Sequence, residues 1–177
     1  MKKVMLLTIF AALMMISSAA VAQTTASGTL SVTATVNGSI QLVFNSDAAG
    51  VALASGAGTN TASLAFGSVS AFGAVAAGIT RTAAANNFTV STPVDVLVSK
   101  SNSASANYTL KAQLGSADAV NTWQIAGNTV TSAAAATITG TGTYGSSAAE
   151  AIAITVPFTT ASGTLISNTI NFTATAN

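Results

Sequence analysis

Between positions 30 and 44 apolar residues occupy every second place. Leu30, Val32, Ala34, Val36, Ile40, Leu42 and Phe44 share one parity, interrupted only by Gly38. The other parity reads Ser31, Thr33, Thr35, Asn37, Ser39 and Gln41, with Val43 its apolar exception. A period of two sends one set to a buried sheet face and the other toward water. At about 3.3 Å per residue this run would reach about 50 Å, against about 17–20 Å for an ordinary strand. One small domain cannot bury it as a single straight strand. Either the run folds back at Asn37-Gly38, or its first half is buried in something else.

A fold-back has a testable register. Asn-Gly between alternating runs is the strongest short hairpin signal. A two-residue loop would set Val36 opposite Ser39 and Ala34 opposite Gln41, so apolar residues would meet polar ones on one face. A three-residue loop over 37–39 restores the parity, pairing Val36 with Ile40, but leaves Gly38 in the middle rather than at the left-handed last position. The alternative is a strand that continues through Gly38, with 29–36 leaving the domain to which 39–44 belongs. Both stay open, and the second is preferred because it keeps the parity without an unusual loop.

Residues 1–22 read as an export signal rather than as fold. Lys2 and Lys3 precede an apolar stretch over 4–16, and Ala20-Val21-Ala22 supplies the small residues of a cleavage site. The stretch is too short for a comfortable membrane span. The expected organisation is a signal peptide at 1–22, an N-terminal extension at 23–37 and one domain at 38–177. Beyond the signal, Arg81, Lys100 and Lys111 face Asp47, Asp95, Asp118 and Glu150, close to neutrality. Such a charge balance attracts neither nucleic acid nor an anionic membrane. With charged residues at 5% of the chain, its surface is poorly protected against self-association, which suits a subunit of an assembly. The chain has no cysteine, so stability must come from burial and strand pairing rather than disulfides.

Strand signals recur along the domain. A small-residue loop over 45–62 includes a candidate short strand at 51–53. Leu64, Phe66 and Phe72 mark one strand or two short ones. A candidate strand covers 87–90, and Val94, Val96 and Val98 predict another that Pro93 would open. Tyr108, Leu110, Ala112 and Leu114 alternate with Asn107, Thr109, Lys111 and Gln113. Residues 123–125 and 129–131 flank Ala126-Gly127-Asn128 as a hairpin, and 136–139 form a further candidate before a Gly/Ser-rich turn at 140–147. Ile152, Ile154, Val156 and Phe158 alternate up to Pro157, which marks an edge or an end. Ile166, Ile170, Phe172, Ala174 and Ala176 share the last parity. No segment beyond the signal has a helical period. Seven to ten strands with regular turn signals predict an all-β, antiparallel β-sandwich. Ser27-Gly28-Thr29-Leu30 also recurs as Ser162-Gly163-Thr164-Leu165, an echo between the two ends.

Chemistry-bearing patterns are lacking. Without histidine or cysteine the sequence offers no Ser/His or Cys/His nucleophile and no ordinary zinc site. The four carboxylates are isolated in sequence, with no calcium loop or glycosidase pair. Asp95, between inward valines, reads as a solvated residue or a salt-bridge partner, and Trp123 as a core or edge anchor rather than a sugar platform. Asn37, Asn87, Asn107 and Asn171 open N-x-[ST] triplets, to which no role is assigned. The expectation is a protein that is not an enzyme, with no cofactor and no metal.

With its export signal, all-β pattern and long alternating N-terminal segment, the chain resembles bacterial pilins that assemble by donor-strand exchange. Leu30, Val32, Ala34 and Val36 carry the likeness, together with the terminal strand of Ile170, Phe172, Ala174 and Ala176. The chain departs from many members of that family in having no cysteine, and in carrying Ala176 where they tend to have an aromatic residue. The resemblance implies an immunoglobulin-like sandwich lacking one strand, completed by the N-terminal extension of a neighbouring identical subunit. It further implies a periplasmic chaperone and an outer-membrane usher as partners, with the fibre extracellular at the cell surface and serving adhesion or biofilm. Leu30, Val32, Ala34 and Val36 would then be the donor strand, and Ile170, Phe172, Ala174 and Ala176 would line the acceptor groove. Physically this is β-augmentation: main-chain bonds give affinity and alternate side chains fill pockets. A self-contained secreted sandwich module is the alternative. An outer-membrane barrel would need aromatic girdles, for which a 6% aromatic content leaves little material.

Overall fold

A computed structural model describes residues 26–177; the expected signal peptide at 1–22 and the first residues of the extension lie outside the described residues. The chain divides into two units, Met1–Thr35 and Val36–Asn177. In the second, nine strands and no helix are present among the described residues. They are β1 (Ser39–Ser46), β2 (Thr80–Ala83), β3 (Asn87–Ser101), β4 (Tyr108–Leu114), β5 (Thr122–Ile125), β6 (Asn128–Val130), β7 (Ala136–Gly142), β8 (Ser147–Pro157) and β9 (Ile170–Ala176). One sheet has the order β1-β3-β8-β5-β6, with β2 also paired to β3; the other has the order β7-β4-β9. Every ladder is antiparallel.

Alternation builds the core. Phe88, Val90, Val94, Val96 and Val98 of β3 point inward, as do Ile152, Ile154 and Val156 of β8 and Trp123 and Ile125 of β5. Across from them stand Tyr108, Leu110, Ala112 and Leu114 of β4, all buried. Each large side chain removed from water in this way stabilises the fold by roughly 1.5–3 kcal/mol.

Several sequence expectations change here. The expected strands at 87–90 and from Val94 onward are one 15-residue strand, with Pro93 in its interior rather than at its entrance. The pairing of β3 explains why proline is tolerated there. On one side of β3, β2 covers residues 88–91 and β1 covers 94–101, so Thr92 and Pro93 fall in the gap between them. Ladder alternation aims the nitrogen of Pro93 into that gap, so its missing N–H costs no ladder bond. The loop bearing Gly50 and Val51 covers the gap, and Val51 N–H donates to Thr92 Oγ1 at 2.7 Å.

No strand forms at 51–53 or around Leu64, Phe66 and Phe72; only isolated bridges, Phe44↔Thr59 and Ser55↔Ser63, tie down that loop. Its Leu53, Leu64 and Phe66 instead pack as half-buried side chains against the core. The β5–β6 hairpin turns in two residues, not three: Ile125 pairs with Asn128. Ala126 and Gly127 both have positive φ, 49° and 80°, as the favoured two-residue turn requires. Pro157 ends β8, which lies inside its sheet rather than at an edge.

Candidate functional site

The run from Leu30 to Phe44 divides at Gly38. Only its second half enters a sheet, as β1, whose register sets Leu42 opposite Val98 and Phe44 opposite Val96. The hairpin at Asn37-Gly38 does not form, and the strand does not continue back through Gly38, because residues 26–38 join no ladder among the described residues. Leu30, Val32 and Val36 are 88%, 80% and 72% exposed, and Ala34 is exposed as well. Gly38 itself is held close: a Cβ there would come within 2.8 Å of the Asn102 carbonyl oxygen.

The other candidate residues, Ile170, Phe172, Ala174 and Ala176, all lie on β9, an edge strand. Its ladder to β4 fixes where their backbone groups point. Gly115 N–H donates to the Thr169 carbonyl at 2.7 Å, and Asn177 N–H donates to the Asn107 carbonyl at 3.1 Å. In an antiparallel ladder alternate residues turn their N–H and C=O to opposite sides. Asn171, Thr173 and Thr175 therefore bond β4, while the backbone of Ile170, Phe172, Ala174 and Ala176 faces the free edge. Among the described residues nothing bonds it there.

Strand β1 approaches this edge from the other sheet without pairing. Phe44 meets Phe172 edge to face at 5.2 Å between ring centres. The backbone of Phe44 is satisfied by the loop, accepting from Gly58 N–H at 2.7 Å and donating to the Thr59 carbonyl at 2.9 Å. Ile40 and Leu42 face the same way and have no such backbone partner among the described residues. Inward side chains on both strands are only half covered: Ile40, Leu42 and Phe44 on one, Ile170, Phe172 and Ala174 on the other. On β3 and β4 the inward residues from Phe88 to Val98 and from Tyr108 to Leu114 are 0–8% exposed. One side of the sandwich thus combines unpaired backbone with incompletely buried apolar side chains.

Ile40 and Leu42 were read from sequence only as core strand. Their place on the open side depends on β1 pairing with β3, which no local pattern states. Two further groups were also missed. Glu150 is buried at 5% exposure, with Thr139 Oγ1 donating to it at 3.4 Å; burial pushes its carboxyl above the ordinary 4.5 and the Thr139 bond offsets this only in part. Its shared parity with Ile152, Ile154 and Val156 was the available signal. Asp118 anchors the one tryptophan: Oδ2 accepts from Trp123 Nε1 at 2.8 Å and Asn121 Nδ2 at 3.0 Å, and Oδ1 from the N–H groups of Asn121 and Val120 at 2.8 and 2.9 Å. With both oxygens engaged, Asp118 is an internal brace, and Trp123 packs in the core as expected.

Among the described residues no three His, Cys, Asp or Glu side chains gather as a metal cluster, and no helix is long and apolar enough to cross a membrane. The chain is an all-β protein of two antiparallel sheets, sandwich-like, with an open edge at β9. Neither a family model, nor a curated protein, nor a solved structure matches it.

Proposed function

We propose that this protein is a structural, non-catalytic subunit of an extracellular fibre, polymerising head to tail by strand donation. Leu30, Val32, Ala34 and Val36 of one copy enter the open side of the next, beside Ile170, Phe172, Ala174 and Ala176. The observation that carries this reading is the free edge of β9, where unpaired backbone and half-covered apolar side chains both belong to Ile170, Phe172 and Ala174. An incoming strand would satisfy both at once. It would also mask an edge otherwise prone to indiscriminate pairing. Residues 30–36 are the segment with the matching length and alternation: seven residues, as in β9.

The strand order supports an immunoglobulin-like reading. The sheet order β1-β3-β8-β5 corresponds to A-B-E-D, and β4 with β9 to C and F, so the vacant position beside β9 is that of strand G. Export, a periplasmic chaperone shielding the edge before assembly and an outer-membrane usher complete the proposal. One observation favours the rival, a solitary secreted sandwich module: Leu53, Leu64 and Phe66 already cover part of the core from the loop.

An unheated denaturing gel of the secreted protein, with and without residues 23–36, separates the two. A ladder that collapses on boiling and is absent from the truncated chain is the expected result. Monomer alone from both chains, with the truncated one melting lower, would establish the solitary module instead.

A further inference from the structure

Most of the large exposed apolar residues of the second unit gather at one end. Apart from Val36, the large ones are Phe72, Val75, Val120, Phe158 and Leu165. Val120 lies between the last residue of β4 and the first of β5, and Phe158 and Leu165 lie between β8 and β9. Phe72 joins them: its ring is 5.9 Å from that of Phe158, which in turn stacks on Phe88 at 6.4 Å. The loop presenting Phe72 is held by Arg81, whose guanidinium donates to the Ser70 and Gly73 carbonyls at 3.0 and 2.8 Å. This is the end of the sandwich at which β9 begins with Ile170. The opposite end, where β1 begins against Ser101, carries the polar loop 102–107 with exposed Ala104 and Ala106.

Side-chain size sets the direction in which a donated strand fits β9. Run antiparallel, it places Leu30 opposite Ala176, Val32 opposite Ala174, Ala34 opposite Phe172 and Val36 opposite Ile170. Three of these four pairs set a large residue against a small one, or the reverse, as interdigitating layers require. Run parallel, it sets Leu30 against Ile170 and Val32 against Phe172, crowding one end and leaving Ala34 opposite Ala174. Antiparallel entry brings Val36 to the Ile170 end of the acceptor. Only Asn37 and Gly38 then separate it from β1 of the donor's own body, so Val36 and Ser39 lie at most about 10 Å apart. Two bodies so tethered must touch, and the faces that meet are the apolar end of the acceptor and the 102–107 end of the donor.

From this we infer that Phe72, Val120, Phe158 and Leu165 form a second contact between copies of this chain, seated on loop 102–107 and Val36 of the strand-donating copy. The inference rests on the strand-donation reading and adds the polarity and the body-to-body face. Unlike ends meet, so the contact is heterologous and propagates as an open filament.

The absence of cysteine gives a clean test. Assembled protein carrying both Leu165→Cys and Ala104→Cys is treated with a short bismaleimide, boiled and run on a denaturing gel beside each single variant. A boiling-resistant ladder from the double variant, with monomer from either single one, is expected. Polymers that form but give only monomer after cross-linking would overturn the second contact while leaving strand donation standing. Dimers from Leu165→Cys alone would overturn it too, since like ends would then be meeting. An untreated, unheated wild-type chain that never polymerises would remove strand donation itself, and this contact with it.

Discussion

Two carboxylates show how burial and hydrogen bonding move the same group in opposite directions. At Glu150 burial dominates and holds the carboxyl above 4.5, with Thr139 only partly compensating. A carboxyl raised on folding contributes stability that is complete below the unfolded value and is lost as pH rises through the folded one. Glu150→Gln, which stays neutral, is therefore expected to melt higher than wild type at pH 8 and to lose that advantage near and below pH 4.5. Each kcal/mol is worth about 2–4 °C in a chain of this size, and a gain of that order should be visible in thermal melts. Equal melting at pH 8 would mean the carboxylate sits comfortably ionised. At Asp118 burial is again the largest single influence and acts upward, yet bonds from Asn121, Trp123 and Val120 outweigh it and bring the carboxyl from 3.8 to about 2. The sign is reversed: its contribution is complete above 3.8 and disappears as pH falls through about 2. Asp118→Ala should cost about 1–3 kcal/mol at neutral pH by orphaning the Trp123 indole N–H, and should flatten the acid limb of the stability curve. Urea melts from pH 2 to 7 would record both.

Segment 30–36 and β9 make predictions of their own, because each is one half of the proposed pair. Val32→Asp would place a charge where an apolar side chain should be buried, so polymerisation is expected to stop. The body should melt unchanged, since Val32 is 80% exposed. Fibres from that variant would remove the mechanism. The antiparallel register makes a sharper demand: Ala34→Phe should clash with Phe172, and a copy carrying Phe172→Ala should accept it again. Mixing purified variants and counting ladder bands tests this. Circular dichroism melts must first establish that Phe172→Ala, which loses the Phe44 edge contact, still folds. Cavity formation at a partly buried phenylalanine is expected to cost less than the about 3–5 kcal/mol of a fully buried one.

At the scale of the whole molecule, the proposed fibre takes its direction from the asymmetry between the two ends of the sandwich. Replacing Phe72 and Phe158 by serine should leave the body's fold intact, because Phe72 is 72% and Phe158 40% exposed, yet lower the temperature at which unheated ladders dissolve. Strand periods were legible in the chain from the start: β4, β8 and β9 could be read from alternation because a half-buried strand imposes a period of two on its own residues. So could the absence of helix among the described residues. The candidate donor residues and those of β9 were named from the same alternation. Pro93 inside a strand, Ile40 and Leu42 on the open side and the gathering of Phe72 with Phe158 could not be read that way. Each depends on which segments lie side by side after folding. Local parity decides which face a residue takes, because it is a property of one strand's pleat. Which neighbour covers that face, and where cover is lacking, is decided by pairings between residues far apart in the chain, such as Phe44 with Phe172.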